Sequence, residues 1–322
     1  MAGGHEAALD GRRGAHGEPR VDVAGMLADL WRTLTARYGT ADEDALDGVL
    51  DRPGGPDGAR TATGQATRAA TRTAPRGTVT RTAPRIVVPV WFHVVTDGAE
   101  GRVPRAVARR QVATLNRAYG GERGGVDTGV RFRLAGYDST SSGRWFRAPD
   151  RYEREMKRAL RKGGRRTLNL YTANVGSDVL GFSTFPQWYA EDPAGDGVVV
   201  DHRTLPGGSF KGFDRGHTAA HEVGHWLGLF HTFENGCRAP GDGVDDTPYE
   251  ARPAEGCPRS RNTCDRPGKD PVRNFMNYAA DGCMREFTRG QARRIRASWA
   301  AYRASEGGPD RGAAARSVGG GR

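Results

Sequence analysis

Residues 217–231 read His-Thr-Ala-Ala-His-Glu-Val-Gly-His-Trp-Leu-Gly-Leu-Phe-His, and no other stretch restricts the fold so tightly. His221 and His225 are four apart, so a helix puts both imidazoles on one face, where they can grip one Zn2+. Glu222 adjoins the first histidine and can reach a metal-held water without ligating the metal itself. Gly228 lets the chain leave the helix in a sharp turn, which brings His231 round as a third ligand. Three protein ligands leave a fourth position open, the arrangement of a catalytic zinc and not of a closed structural one. A glutamate-ligated site would have to draw on Glu234, Glu250 or Glu255, and Gly228 with His231 makes that unnecessary. His217 and His93 are most simply structural or surface residues.

The flanking sequence supplies an α/β (α+β) framework. Ile86–Val95 is β-branched and aromatic and ends at Thr-Asp-Gly, a strand followed by a turn. Residues 104–119 read as a helix with Pro104 near its start and Val107, Val112, Leu115 and Tyr119 on its apolar side. Val130–Leu134 alternates like a strand, Tyr152–Leu160 reads as a basic helix, and Leu168–Thr172 and Val198–Val200 as further strands. Leu180–Pro186 fits an edge strand or a loop. Thr288–Ala304 is the last expected helix. Strands alternating with helices imply a sheet with helices packed on it.

Outside 86–304 the composition changes. Residues 1–20 show no apolar period and no apolar core of 7–15 residues, so they read as disordered and no signal peptide is visible. Val23, Met26, Leu27, Leu30, Trp31, Leu34 and Tyr38 recur at helical spacing, so one amphipathic helix is expected within 21–39 of an N-terminal segment, 1–50. Residues 51–85 form an Arg/Thr/Pro-rich linker in which Thr-Arg-Thr-Ala-Pro-Arg occurs at 71–76 and again at 80–85. Such a stretch cannot bury a core. Residues 305–322, rich in Gly, Arg and Ala, read as a disordered tail.

The net charge of +11 does not by itself name a partner. Of 49 basic residues only Lys157, Lys162, Lys211 and Lys269 are lysines; the arginines are spread along the chain without any nucleic-acid-binding motif, so no specific nucleic acid is expected. No run of about 18 apolar residues exists, which excludes a membrane-spanning helix. Cys237, Cys257, Cys264 and Cys283 all follow the zinc-helix motif. An even number confined to a loop-rich region argues for two disulfides and an oxidising compartment. Their spacing fits no zinc ribbon, and three pairings can be drawn.

Together, His-Glu-Val-Gly-His-Trp-Leu-Gly-Leu-Phe-His-Thr-Phe, Gly-Asp-Gly-Val-Asp-Asp-Thr-Pro, Asn-Phe-Met-Asn-Tyr and Cys-Met-Arg-Glu-Phe-Thr-Arg-Gly-Gln resemble the pappalysin (cytophagalysin, ulilysin-like) metzincins. So do the upstream Leu-Asn-Leu-Tyr-Thr, Gly-Phe-Ser-Thr-Phe-Pro and Asp-Gly-Val-Val-Val-Asp. The resemblance covers roughly residues 86–304. It implies a secreted zinc endopeptidase: a twisted mixed sheet with active-site and backing helices above the cleft, and an irregular, disulfide-stapled C-terminal subdomain below it. Met276 becomes the candidate methionine of the Met-turn, a soft apolar floor beneath the zinc. Tyr278 could serve the oxyanion or simply pack in the wall. The resemblance favours the pairs Cys237–Cys264 and Cys257–Cys283. It also suggests Ca2+ at Asp242, Asp245, Asp246 and Thr247, whose hard oxygens suit that ion; the alternative is a turn held by side-chain hydrogen bonds. Some relatives prefer a basic residue after the cleaved bond (P1'), through an acid in the S1' pocket. Asp281 is the candidate here, unless it is a solvated loop residue.

The implied activity is hydrolysis of protein or peptide substrates by a monomer, with Glu222 as general base. The competing reading is a zinc-bearing binding module without catalysis. The N-terminal segment is a candidate pro-segment. No cysteine precedes Cys237, so a thiolate cannot impose latency; a carboxylate (Asp42, Glu43 or Asp44) or occlusion would have to.

Overall fold

The apolar run that opens at Ile86 forms an interior strand, β1 (Ile86–Thr96), of a five-stranded sheet. The computed structural model describes residues 84–304 except 177–178 and 266–267. The helix expected in 21–39, the linker up to 83 and the tail from 305 lie outside the described residues.

Next come α1 (Arg105–Tyr119), β2 (Val130–Ser141), α2 (Gly143–Arg147), α3 (Glu153–Leu160), β3 (Leu168–Ala173), β4 (Gly181–Ser183) and β5 (Val198–Asp201). Then follow α4 (His217–Trp226) and α5 (Arg289–Ser298), which runs into a π-helical turn, Trp299–Arg303. The strand order is β2-β1-β3-β5-β4, with β4 alone antiparallel, at one edge. Every residue of β3 and β5 is buried, as expected of parallel strands covered on both faces. On one face α1 and α4 share a core with Val88, Val90, Phe92, Leu170 and Val198. On the other, Phe146 of α2 and Met156 of α3 pack with Val95, Tyr171 and Val199.

Three details differ from the sequence expectation. Strand β2 runs on to Ser141, well past Leu134. A register shift opposite Val90/Trp91 skips Ala135 and breaks the alternation that marks a strand. Helix α2 is only five residues long with Phe146 its one buried residue, too short to display a period. The last helix changes from α to π at Trp299, where buried Arg303 donates to Trp226 O and to both carboxylate oxygens of Asp196.

Between α4 and α5 the described chain has no α-helix or strand. Two disulfides, Cys237–Cys264 and Cys257–Cys283, staple it. At its end Thr288 and Gln291 form a reciprocal capping box on α5.

Candidate active site

All ten residues of α4 are buried. The helix lacks a side-chain cap at Gly216. Instead Asp281, distant in sequence, uses Oδ2 to accept from the amides of Arg215 (2.7 Å) and His217 (3.4 Å). At the other end Gly228 has φ of 96°. The Gly228 amide donates to His225 O (2.8 Å) and the Leu229 amide to Gly224 O (2.9 Å). This is a Schellman closure, and it turns the chain back toward the cleft, delivering His231.

His225 Nε2 lies 3.1 Å from both His221 Nε2 and His231 Nε2. A tetrahedral zinc with Zn–N bonds of about 2.0–2.1 Å holds its ligand atoms roughly 3.3–3.4 Å apart, so the donor set fits the ion. The far ring nitrogens are held as well. His221 Nδ1 donates to Phe275 O (2.7 Å) and His225 Nδ1 to Leu229 O (2.8 Å), while His231 Nδ1 lies 3.4 Å from Glu234 Oε2. With the Nδ1 positions occupied this way, three Nε2 lone pairs converge on one point, an arrangement that a cation resolves.

Met276 is fully buried in the turn below. Its carbonyl accepts from the Thr232 amide (3.1 Å), and a side chain at Gly224 would run into its sulfur. The turn therefore holds His221 through Phe275 O and the neighbour of His231 through Met276 O. The Tyr278 hydroxyl is 3.2 Å from His231 Nε2, and Phe233 stacks on the His231 ring at 4.7 Å. Glu222 is buried, 2% exposed, against β4. A Cβ at Gly181 would lie 2.9 Å from Glu222 Cγ and 3.0 Å from its Oε1.

Asp281 is buried, not a solvated loop residue. Its Oδ1 has no hydrogen-bond partner among the described residues, and burial pushes its carboxyl up to about 6. His217 beside it is held down to about 4, first by burial and then by the Arg123 guanidinium, which lies 3.1 Å from His217 Nε2.

The acidic run is less convergent. Asp242 and Thr247 are buried; Asp242 Oδ1 accepts from the Val244 amide (3.0 Å), and the Thr247 hydroxyl faces the Asp242 carboxylate. Burial holds the Asp242 carboxyl well above its ordinary range. Asp246 Oδ2 is taken by the Gly290 amide (2.9 Å), and Asp245 is exposed. The three histidines are the one group of three or more His, Cys, Asp or Glu among the described residues whose ligand atoms lie close enough together to hold a metal.

Further supports lie outside the zinc-helix motif. The Tyr119 hydroxyl of α1 donates to Ala220 O (3.0 Å) in α4. Arg294 of α5 lies 4.5 Å over the Phe230 ring and donates to Gly228 O (2.7 Å). Gln291 exchanges amide hydrogen bonds with Asn274 at the head of the Met-turn. Gln291 and Asn274 lie inside motif strings of the sequence and Tyr119 on the apolar side of the 104–119 period, whereas Arg294 carried no signal.

A family model described as Peptidase_M43, Pregnancy-associated plasma protein-A, matches residues 181–300. An extracellular metalloprotease of Neurospora crassa is 43% identical over 232 residues, 68% of this chain and 77% of that protein. One of Verticillium alfalfae is 44% identical over 228 residues, 68% and 78% of the two chains. Among solved structures, mature mirolysin of Tannerella forsythia in complex with a cleaved peptide superposes with a TM-score of 0.60. It is 28% identical, over 67% of this chain and 92% of that one. The chain belongs to the pappalysin (M43) family of metzincin zinc metallopeptidases.

Proposed function

We propose that the chain is an extracellular zinc endopeptidase in which Glu222 is the general base and Asp281 selects basic P1' residues. The convergence of three Nε2 atoms beside the buried Glu222 carboxylate carries this reading. Bound at His221, His225 and His231, zinc supplies Lewis acidity, polarising a scissile carbonyl and acidifying water. Glu222 takes the proton of the attacking water and passes it to the leaving amine. Tyr278, with its hydroxyl beside the metal ligands, donates to the developing oxyanion. Asp281 keeps Oδ1 for a substrate cation while Oδ2 caps α4. Action outside the cell is supported by the names of the relatives and by the two disulfides.

A quenched peptide library, with and without chelator, tests the reaction and the P1' preference together. Chelator-sensitive cleavage before Arg or Lys is expected; cleavage indifferent to the P1' residue would remove Asp281 from the account. A zinc-bearing binding module predicts metal without cleavage. Calcium at this acidic turn is the finer reading of the buried oxygens of Asp242 and Thr247. It predicts a calcium-dependent rise in melting temperature that Asp242→Asn loses. For residues 1–85 the reading is a pro-segment, and N-terminal sequencing of the active form tests it.

A further inference from the structure

We propose that Glu250 is a positioning residue of the zinc centre, clamped by an arginine that the disulfide-stapled loop delivers. The inference rests on the zinc reading of the three histidines. Glu250 is 0% exposed, and a carboxylate so placed is costly unless its oxygens are compensated. Each of them is. Oε1 accepts from Arg261 Nη1 at 2.9 Å. Oε2 accepts from Thr232 Oγ1 at 2.9 Å and from Asn277 Nδ2 at 2.8 Å.

The two donors on Oε2 come from two different segments of the metal centre. Thr232 directly follows His231. Asn277 directly follows Met276, and its Oδ1 accepts from the amides of Tyr278 and Ala254, both at 2.8 Å. One oxygen thus ties the third ligand's segment to the Met-turn and to the start of the Tyr278 wall.

Arg261 is itself anchored. Its Nε pairs with Asp270 Oδ2 at 3.2 Å and its Nη2 donates to Arg252 O at 2.7 Å. Asp270 Oδ1 accepts from the Thr263 amide (2.9 Å) and from Thr263 Oγ1 (3.1 Å). Arg261 lies between Cys257 and Cys264, whose disulfide partners are Cys283 and Cys237. The stapled segment therefore does more than close loops. It presents the cationic partner of Glu250 Oε1, which leaves Oε2 aimed at Thr232 and Asn277.

The test uses the full chain as wild type, Glu250→Gln, Arg261→Gln and the double variant. Arg131→Gln, at the remote Asp127 ion pair of β2, is the control for general destabilisation. Zinc affinity is read by competition with a chromophoric chelator, coordination by the visible spectrum of the Co2+ form, and turnover as kcat and KM separately. Each single variant is expected to bind zinc about 10–100-fold more weakly, to shift the cobalt bands, and to lose kcat with KM within about twofold. The double variant should lose no more than the worse single, because the two residues form one relay. Should Glu250→Gln fail to fold, Thr232→Val removes a single donor and is expected to move zinc affinity the same way. Single variants with wild-type zinc affinity and cobalt spectrum would overturn the proposal, as would a control that loses as much zinc. A wild type that binds no zinc would overturn the zinc reading beneath it, a distinguishable failure.

Discussion

On the proposed reading Asp281 serves two ends, with Oδ2 on the head of α4 and Oδ1 toward substrate, and its neighbours make the consequences measurable. Asp281→Asn keeps a carbonyl oxygen for the Arg215 and His217 amides but loses the charge. The preference for basic P1' residues should collapse while α4 stays capped. Asp281→Ala removes the cap as well and should cost about 1 kcal/mol more in stability; urea unfolding of both variants checks this. The carboxyl stands at about 6 in the fold, so the basic preference should fade as pH drops through about 6. The same group binds its extra proton in the folded state, so its contribution to stability falls as pH rises from its unfolded value toward 6. His217, held down to about 4, stays neutral in the fold while the unfolded chain protonates. Its contribution therefore rises with pH over nearly the same window, and the two slopes offset. Asp281→Asn leaves the histidine slope alone, so the variant should gain stability between pH 4 and 6.5 more steeply than wild type.

At the scale of elements, β4 and α4 must approach closely for Glu222 to sit where it does. Gly181→Ala would push a methyl against the Glu222 carboxylate. Misplacement of that order costs about 10²-fold in rate, and kcat should fall while zinc content stays at the wild-type level. Thr288→Ala removes the capping box of α5 and should cost about 1 kcal/mol, read as a lower denaturation midpoint. Most elements were legible because their chemistry is local: the β-branched run of β1, the helical period of α1, the i, i+4 histidines of α4. The extent of β2 was not, because the skipped Ala135 erased the alternation. The π turn was not, because Arg303 is drawn inward by Asp196 and Trp226, which lie far away in sequence. The site divides the same way. The three histidines and Glu222 share one short motif, whereas Tyr119, Arg294 and Glu250 reach the centre only through tertiary contacts.

For the whole molecule, a sheet-and-helix layer carries His221 and His225 on one buried helix, and an irregular segment supplies the floor and one wall. That second part has no helix or strand of its own among the described residues, so its order depends on the disulfides, the buried Glu250 relay and the metal. Closing loops of 27 and 26 residues contributes about 3–4 kcal/mol each on the chain-entropy account. Reduction should therefore lower the melting temperature and, by releasing Arg261, weaken zinc binding too. Chelation should lower the melting temperature reversibly, since zinc binds the folded state.

The central claim, a zinc centre served by Glu222, is tested most directly by comparing wild type with Glu222→Gln for zinc content and peptide cleavage side by side. The account predicts one zinc per chain in both, with cleavage about 10²–10⁴-fold slower in the variant. A variant that cleaves as fast as wild type, or a zinc-loaded wild type that cleaves nothing even after residues 1–85 are removed, would contradict it.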